Sequence, residues 1–211
     1  MKPEVFPLAY LPDIAYMAHY YAASKPVIDI YEHFEKQTCR SRTNILTAQG
    51  RQTLSLPVSK KEHHTPVKEV KLSYCENWPQ VHWRTIQTAY SSAPYFDFYA
   101  GELEAVYEQK QEFIADFTAS LFHILCNHIG IPHKQTFSEK YIEKSDAYRD
   151  YRNYWHTTKD HLLVPRYWQV FSDKHGFEHN LSIIDLLFNM GPESAPYLFQ
   201  LAQKLKTYYS G

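Results

Sequence analysis

Hydrophobic and polar positions follow two rhythms along this chain, a mixed one early and a helical one later. After a short apolar stretch, Val5 to Tyr10, comes Leu11-Pro12-Asp13, and then Ile14, Met17, Ala18 and Tyr21 recur on one helical face. Pro12 suits the first turn of that helix, where a missing N–H costs nothing, and Ser24-Lys25-Pro26 predicts its end. Val27 to Tyr31 is rich in β-branched residues and reads as a buried strand. Thr38 to Ile45 and Gln52 to Val58 both alternate, and Gln49-Gly50 between them signals a turn, so residues 38–58 read as a hairpin. Beyond the polar loop Lys60 to Pro66, Val67 to Tyr74 is another strand candidate.

From Trp78 onward the period becomes helical. Trp83, Ile86, Ala89 and Tyr90 share a face until Ser91-Ser92-Ala93-Pro94 breaks it. A long helix or helix pair is predicted from about Phe98 to His128, with Phe113, Phe117, Leu121, Ile124 and Leu125 as its apolar stripe and Gly130-Ile131-Pro132 as its stop. Residues 138–160 are charged and Tyr-rich, suited to a helix or equally to a mobile cover, and 161–180 return to an extended or irregular path. Ser182 with Asp185 three residues on has the form of a capping box opening the apolar run Ile183 to Phe188. Gly191-Pro192 ends that helix and starts a last one over 193–209. Strands among helices early, then mostly helices, predict an α/β fold. Its small mixed or parallel sheet is built in the N-terminal part, with a largely helical C-terminal half, all in a single domain over 1–211.

Composition narrows the function more than the fold. With 22 Lys plus Arg against 23 Asp plus Glu, the chain has no global field to hold nucleic acid or an anionic membrane. No apolar run approaches the ~20 residues that span a bilayer, and the opening MKPEVFPLAYLPDIAYM lacks the continuous apolar core of a secretion signal. Cys39, Cys75 and Cys126 are widely spaced with no CxxC, which predicts free thiols in a reducing cytoplasm. Tyrosine is in surplus, 18 against 6 Gly, as expected of cores with wet edges or of recognition clefts.

The densest polar group is Glu32-His33-Phe34-Glu35-Lys36-Gln37-Thr38-Cys39-Arg40-Ser41-Arg42. On a strand, Arg40 and Arg42 leave the same face, and two guanidinium forks side by side suit a phosphate or carboxylate. Glu32 falls where a strand ends, the usual place for ligand contacts in an open α/β sheet and a position for proton transfer. A solvated ion-pair cluster is the competing reading of these same residues. His82 lies at the start of a helix, where the macrodipole lowers a histidine pKa, or where it simply caps its own helix. His63-His64 reads as surface, and no metal is expected. Asp185, Asn189 and Glu193 have plain capping roles available to them. Nucleophile elbow, Walker loop and GxGxxG are all missing, so a nucleotide must be held by side chains or helix ends.

Several of these blocks together resemble the WbqC-like protein family. Tyr10-Leu11-Pro12 with Tyr16-Met17 is similar to that family's Q-P-x-Y-L-P opening. Glu32 followed by Lys36-Gln37-Thr38 and Arg40-x-Arg42 looks like its acid-then-Arg-Asn-Arg segment, and Gly50 with Leu54 to Val58 like its G-x-x-x-L-(T/S)-V-P-V strand. Trp78, His82, Ile86, Ala89-Tyr90 and Ala93 to Phe96 resemble the middle block, and Asn180 to Asn189 with Gly191-Pro192-Glu193 the last. Two positions depart: Pro7-Leu8-Ala9 stands where the family has Gln-Pro, and Ser41 where it has Asn. The resemblance implies a transferase of surface-polysaccharide biosynthesis, acting on a nucleotide-linked or phosphorylated amino sugar by acyl or aminoacyl transfer; no cofactor is expected. It implies Glu32 or His82 as base and Arg40 with Arg42 on phosphate. Tyr10, Glu35, Lys36, Gln37, Trp78, Tyr90, Asp185 and Asn189 complete the expected substrate-binding set. The alternative is a non-catalytic scaffold whose Tyr-rich segment 141–155 binds a protein partner.

Overall fold

A short strand near the N-terminus, Glu4–Pro7 (β1), forms the centre of the architecture. The structure is a computed structural model that describes residues 2–131, 135–153 and 163–210. β1 leads through a loop into α1 (Ile14–Ala22), which returns the chain to β2 (Pro26–Asp29), parallel to β1. The other edge of β1 is taken, also in parallel, by β5 (Arg149–Asp150), with Glu4 opposite Arg149 and Val5 opposite Asp150. The sheet order is β2-β1-β5, so the fold is α/β with a small parallel sheet whose third strand comes from far along the chain. A separate antiparallel hairpin, β3 (Arg42–Thr47) and β4 (Gly50–Ser55), follows β2. The remainder is mostly helical: α2 (Trp78–Tyr90), α3 (Phe96–Glu108), α4 (Ile114–Ile129), a one-turn α5 (Ser172–His175), α6 (Ile183–Met190) and α7 (Ser194–Ser210).

Aromatic rings fill the space between sheet and helices. Phe6 of β1 stacks on Tyr151 at 4.8 Å and meets Tyr20 of α1 edge-on at 5.3 Å. Tyr20 in turn meets Phe122 of α4 at 4.9 Å. Tyr10, Tyr16, Tyr20 and Tyr90 are among the largest fully buried side chains, so much of the tyrosine surplus is packing material. The α4 stop is as expected, with Gly130 left-handed at φ 74° and its N–H on the carbonyls of Cys126 and Asn127.

Three expectations are corrected. The hairpin exists, but its first strand starts at Arg42, because the Ser41 and Arg42 N–H groups both donate to the Thr38 carbonyl and curl the chain into a turn. Residues 67–74 make no ladder: Val67–Glu69 is a 3-10 turn, after which Leu72 and Ser73 donate to Glu112 and Pro57, two different neighbours. Pro12 precedes the cap of α1 instead of entering its first turn, since Asp13 is the N-cap. Residues 138–153 contain no helix and carry β5, while 154–160 lie outside the described residues. Among the described residues, no helix is long and apolar enough to cross a membrane.

Candidate functional site

The loop between β1 and α1 is held by two distant segments of the chain. The Leu11 carbonyl accepts from Thr43 Oγ1 at 2.7 Å and from Ser182 Oγ at 3.0 Å, and the Tyr10 N–H donates to the Cys39 carbonyl at 2.8 Å. The Pro12 carbonyl accepts the Ile183 N–H at 2.7 Å. Where these segments meet, Leu11, Gln37 and Asn180 adopt φ values of 42°, 64° and 51°, a left-handed conformation that costs non-glycine residues free energy and gathers at functional sites. Between them opens a cleft of about 400 Å³ whose walls include Asp13, Gln37, Thr38, Cys39, Arg42, Asn44, Arg51, His179 and Asn180.

This cleft adjoins the N-terminus of α1, normally a ready anion site. Here every donor of the first turn is already satisfied. The Ile14 N–H reaches the Leu181 carbonyl, Ala15 the Asn180 Oδ1 at 2.8 Å, Tyr16 the Asp13 Oδ1 at 2.8 Å and Met17 the Asp13 carbonyl. An anion in this cleft must therefore be held by side chains. Arg51 is engaged, donating to Glu178 at 3.0 Å and to the His179 carbonyl at 2.6 Å. Arg42 is exposed at the start of β3, and none of the described residues pairs with its guanidinium. His179 Nδ1 is buried without a hydrogen-bond partner among the described residues, its ring edge-on to Phe177 at 4.7 Å. Desolvation pushes the Cys39 thiol up to about 12, which keeps it protonated and poorly nucleophilic.

The two arginines of the sequence motif part company. Arg40 sits in the turn, 2% exposed, with Nε donating to Glu32 Oε1 at 2.8 Å and Nη2 to Glu32 Oε2. It also donates to the carbonyl of Arg152 and lies 3.7 Å from Glu35, whose side chain is otherwise exposed. The same-face geometry expected of Arg40 and Arg42 fails because only Arg42 is on the strand. Burial pushes the Glu32 carboxyl up, to about 7, against the downward pull of Arg40. Asp29, at the carboxyl end of β2 where an open α/β sheet often meets its ligand, is fully buried and closed off by Arg152 Nη1 at 2.7 Å and by Ser138. Arg152 also grips Asp150 of β5.

The remaining candidates fall into two buried groups. In one, the Tyr10 hydroxyl lies 2.9 Å from His82 Nδ1 and 2.7 Å from the Tyr107 hydroxyl. Trp78 packs edge-on against Phe117 beside them, its indole N–H without a partner among the described residues. His82 stands in the second turn of α2, and its pKa is lowered to about 4 by burial. In the other, Asp185 Oδ2 accepts from Tyr90 at 2.8 Å and Oδ1 from Tyr167, with Gln169 at 3.3 Å and Asn189 at 3.4 Å behind them. Burial pushes the Asp185 carboxyl up to about 6. The capping box is not formed: Ser182 Oγ donates to Leu11, and Asp185 faces the tyrosines. Of the expected set, Gln37 and Arg42 reach the cleft, Glu35 and Lys36 lie exposed in the adjoining turn, and Tyr10, Glu32, Arg40, Trp78, His82, Tyr90, Asp185 and Asn189 are buried.

The model of the WbqC-like protein family matches residues 9–154, which takes in the β1–α1 loop, the Glu32–Arg42 segment, the hairpin and α2 to α4. The chain belongs to the WbqC-like family. It is similar to the uncharacterized protein Rv1507c of Mycobacterium tuberculosis (strain ATCC 25618 / H37Rv), 26% identical over 198 residues, which cover 78% of this chain and 83% of that one. No solved structure matches.

The WbqC-like region supplies two walls of the cleft, and the third, His179 and Asn180, comes from beyond it. Asn180 opens the last sequence block, whereas His179 carries no motif and is identified only by its position. Arg152 lies inside the matched region, and its spacing of two from Asp150 is the only sequence trace of the ion pairs it makes. Tyr107, Tyr167 and Gln169 carry no motif; Tyr107 meets Tyr10, and Tyr167 and Gln169, bonded to each other, both reach Asp185 on α6.

Proposed function

We propose that this protein binds a nucleotide-linked or phosphorylated amino sugar in the cleft beside α1 and takes part in its modification by acyl or aminoacyl transfer. The observation that carries this reading is Arg42, a guanidinium with no partner among the described residues, at the wall of a concave cleft whose helix N-terminus is already capped. In this reading Arg42 takes the phosphate through its fork, Gln37 and Asn44 take sugar hydroxyls, and His179 accepts the proton of the attacking amine. Glu32 and His82 serve elsewhere: the first neutralises Arg40, and the second stays neutral in the core near pH 7. The resemblance to polysaccharide-cluster proteins supports the substrate class. The test is a thermal-shift screen against nucleotide sugars, sugar phosphates and free nucleotides. A ligand at 100 times its dissociation constant adds roughly 2.7 kcal/mol of stability. In Arg42→Ala that shift should vanish with the unliganded midpoint unchanged, and a shift retained in the variant refutes the assignment.

A second reading rests on the dispersal of the expected polar residues into ion pairs and buried hydrogen bonds. Beside them Tyr141 is 46% exposed and stacks on His33 at 5.6 Å. That arrangement favours a module that binds a protein partner through the 141–153 surface. Partner capture lost in Tyr141→Ser but kept in Arg42→Ala would select it over the transferase.

A further inference from the structure

A second cleft, of about 580 Å³, lies between α2 and α3, away from Arg42. Its aromatic walls are Trp83, Tyr107 and Tyr74, and each ring is fixed from behind. Trp83 Nε1 donates to Glu104 at 2.6 Å, the Tyr107 hydroxyl is anchored on Tyr10 at 2.7 Å, and the Tyr74 hydroxyl donates to the Gln111 carbonyl at 2.8 Å. Trp83 and Tyr107 stand 5.7 Å apart. Rigid aromatic walls of this kind attract cations over their faces, and the chain already demonstrates it: Lys110 Nζ lies 5.0 Å above the Tyr74 ring.

Charge of both signs surrounds those walls. Glu104 and Glu108 are one turn apart on α3, so both carboxylates line the same side, while Arg84 projects from α2. Neither Glu108 nor Arg84 forms an ion pair among the described residues. A purely cationic ligand meets Arg84 and Lys110, and a purely anionic one meets the two glutamates. A molecule carrying both charges satisfies both sides, and the volume falls in the range of small-ligand pockets, about 300–1,000 Å³. We propose that this cleft binds a small zwitterion, with its ammonium group between the aromatic walls and Glu104–Glu108 and its anionic end on Arg84. The site is independent of the sugar-phosphate reading of the Arg42 cleft.

The experiment follows the Trp83 indole N–H resonance of the full chain, assigned through Trp83→Phe, during titration with four probes. Glycine betaine and alanine carry both charges and separate a quaternary from a primary ammonium, while tetramethylammonium and acetate carry one charge each. Saturable shifts in the millimolar range or tighter with a zwitterion, and weaker ones with either single ion, support the site. Glu108→Gln and Arg84→Gln are exposed changes that spare the Trp83–Glu104 bond. Each should weaken the zwitterion roughly tenfold, whereas Arg42→Ala should leave it unchanged. The proposal is overturned if no probe saturates, if either single ion matches the zwitterions, or if both charge-removing variants bind as the parent does.

Discussion

In an Arg40→Met variant the Glu32 carboxylate remains 3% exposed but loses the donors that hold both its oxygens. Removing one partner of a buried pair leaves an uncompensated charge and typically costs about 3–5 kcal/mol. For a chain of this size that corresponds to a fall in Tm of roughly 10 °C. Glu32→Gln should cost less, because Arg40 keeps Glu35 at 3.7 Å and the Arg152 carbonyl as acceptors. The Glu32→Gln/Arg40→Met double variant should then be more stable than Arg40→Met alone, giving a coupling of about 1–3 kcal/mol in urea unfolding. Losing Arg40 also drives the Glu32 pKa further up from its value of about 7. A carboxyl raised on folding stabilises below its unfolded pKa, and that contribution is lost as pH rises through the folded value. Arg40→Met should therefore regain stability as pH is lowered below 7, and the double variant should not. A cost below about 1 kcal/mol for Arg40→Met, or no coupling in the cycle, would show that water screens this pair and refute the argument.

Acid should also act through His82, whose pKa falls to about 4 from the usual 6.5. The unfolded chain binds the extra proton in that window, so stability is lost as pH drops from 6.5 toward 4, on the order of 3 kcal/mol in full, and His82→Gln should flatten this part of the urea-unfolding profile. Gly191→Ala places a Cβ 2.5 Å from the Tyr95 ring at a φ of 53°, and should cost more than the ~1–3 kcal/mol of backbone strain alone, measured by urea unfolding. Asp13→Ala removes the cap from the Tyr16 N–H and should cost about 1 kcal/mol. By freeing that donor and removing a negative charge from the cleft, it should also tighten phosphate binding in a thermal-shift titration, whereas weaker binding would contradict the geometry.

Elements that announce themselves locally were legible in the sequence. The helical stripes after Trp78, the Gly130 stop and the Gly191-Pro192 junction all rest on residues whose chemistry acts within a turn of themselves. β5 was not legible, since two residues, Arg149 and Asp150, become a strand only because β1 offers an open edge. The Arg40–Arg42 spacing has a strand's period, but the turn at Thr38 rotates Arg40 inward to Glu32, so that of the two only Arg42 lines the cleft. Ser182-x-x-Asp185 has the letters of a capping box, yet Tyr90 and Tyr167, remote in sequence, offer Asp185 better-placed donors. Gln37 and Arg42 are legible in the acid-then-arginine block, while His179 reaches the cleft through tertiary hydrogen bonds, from Arg51 to its carbonyl and from the start of α6 to the β1–α1 loop and β3.

The late arrival of β5 has a consequence for biosynthesis. As the chain emerges, β1, α1 and β2 can associate early, but the other edge of β1 stays bare until Arg149 and Asp150 have been made. An unpaired strand edge is a template for wrong partners, and Glu4 to Pro7 carries the apolar pair Val5-Phe6 at its centre. Nascent chains stalled before residue 149 should therefore be clients of chaperones and prone to aggregate, whereas those released beyond Arg152 close the edge with strand and ion pairs together.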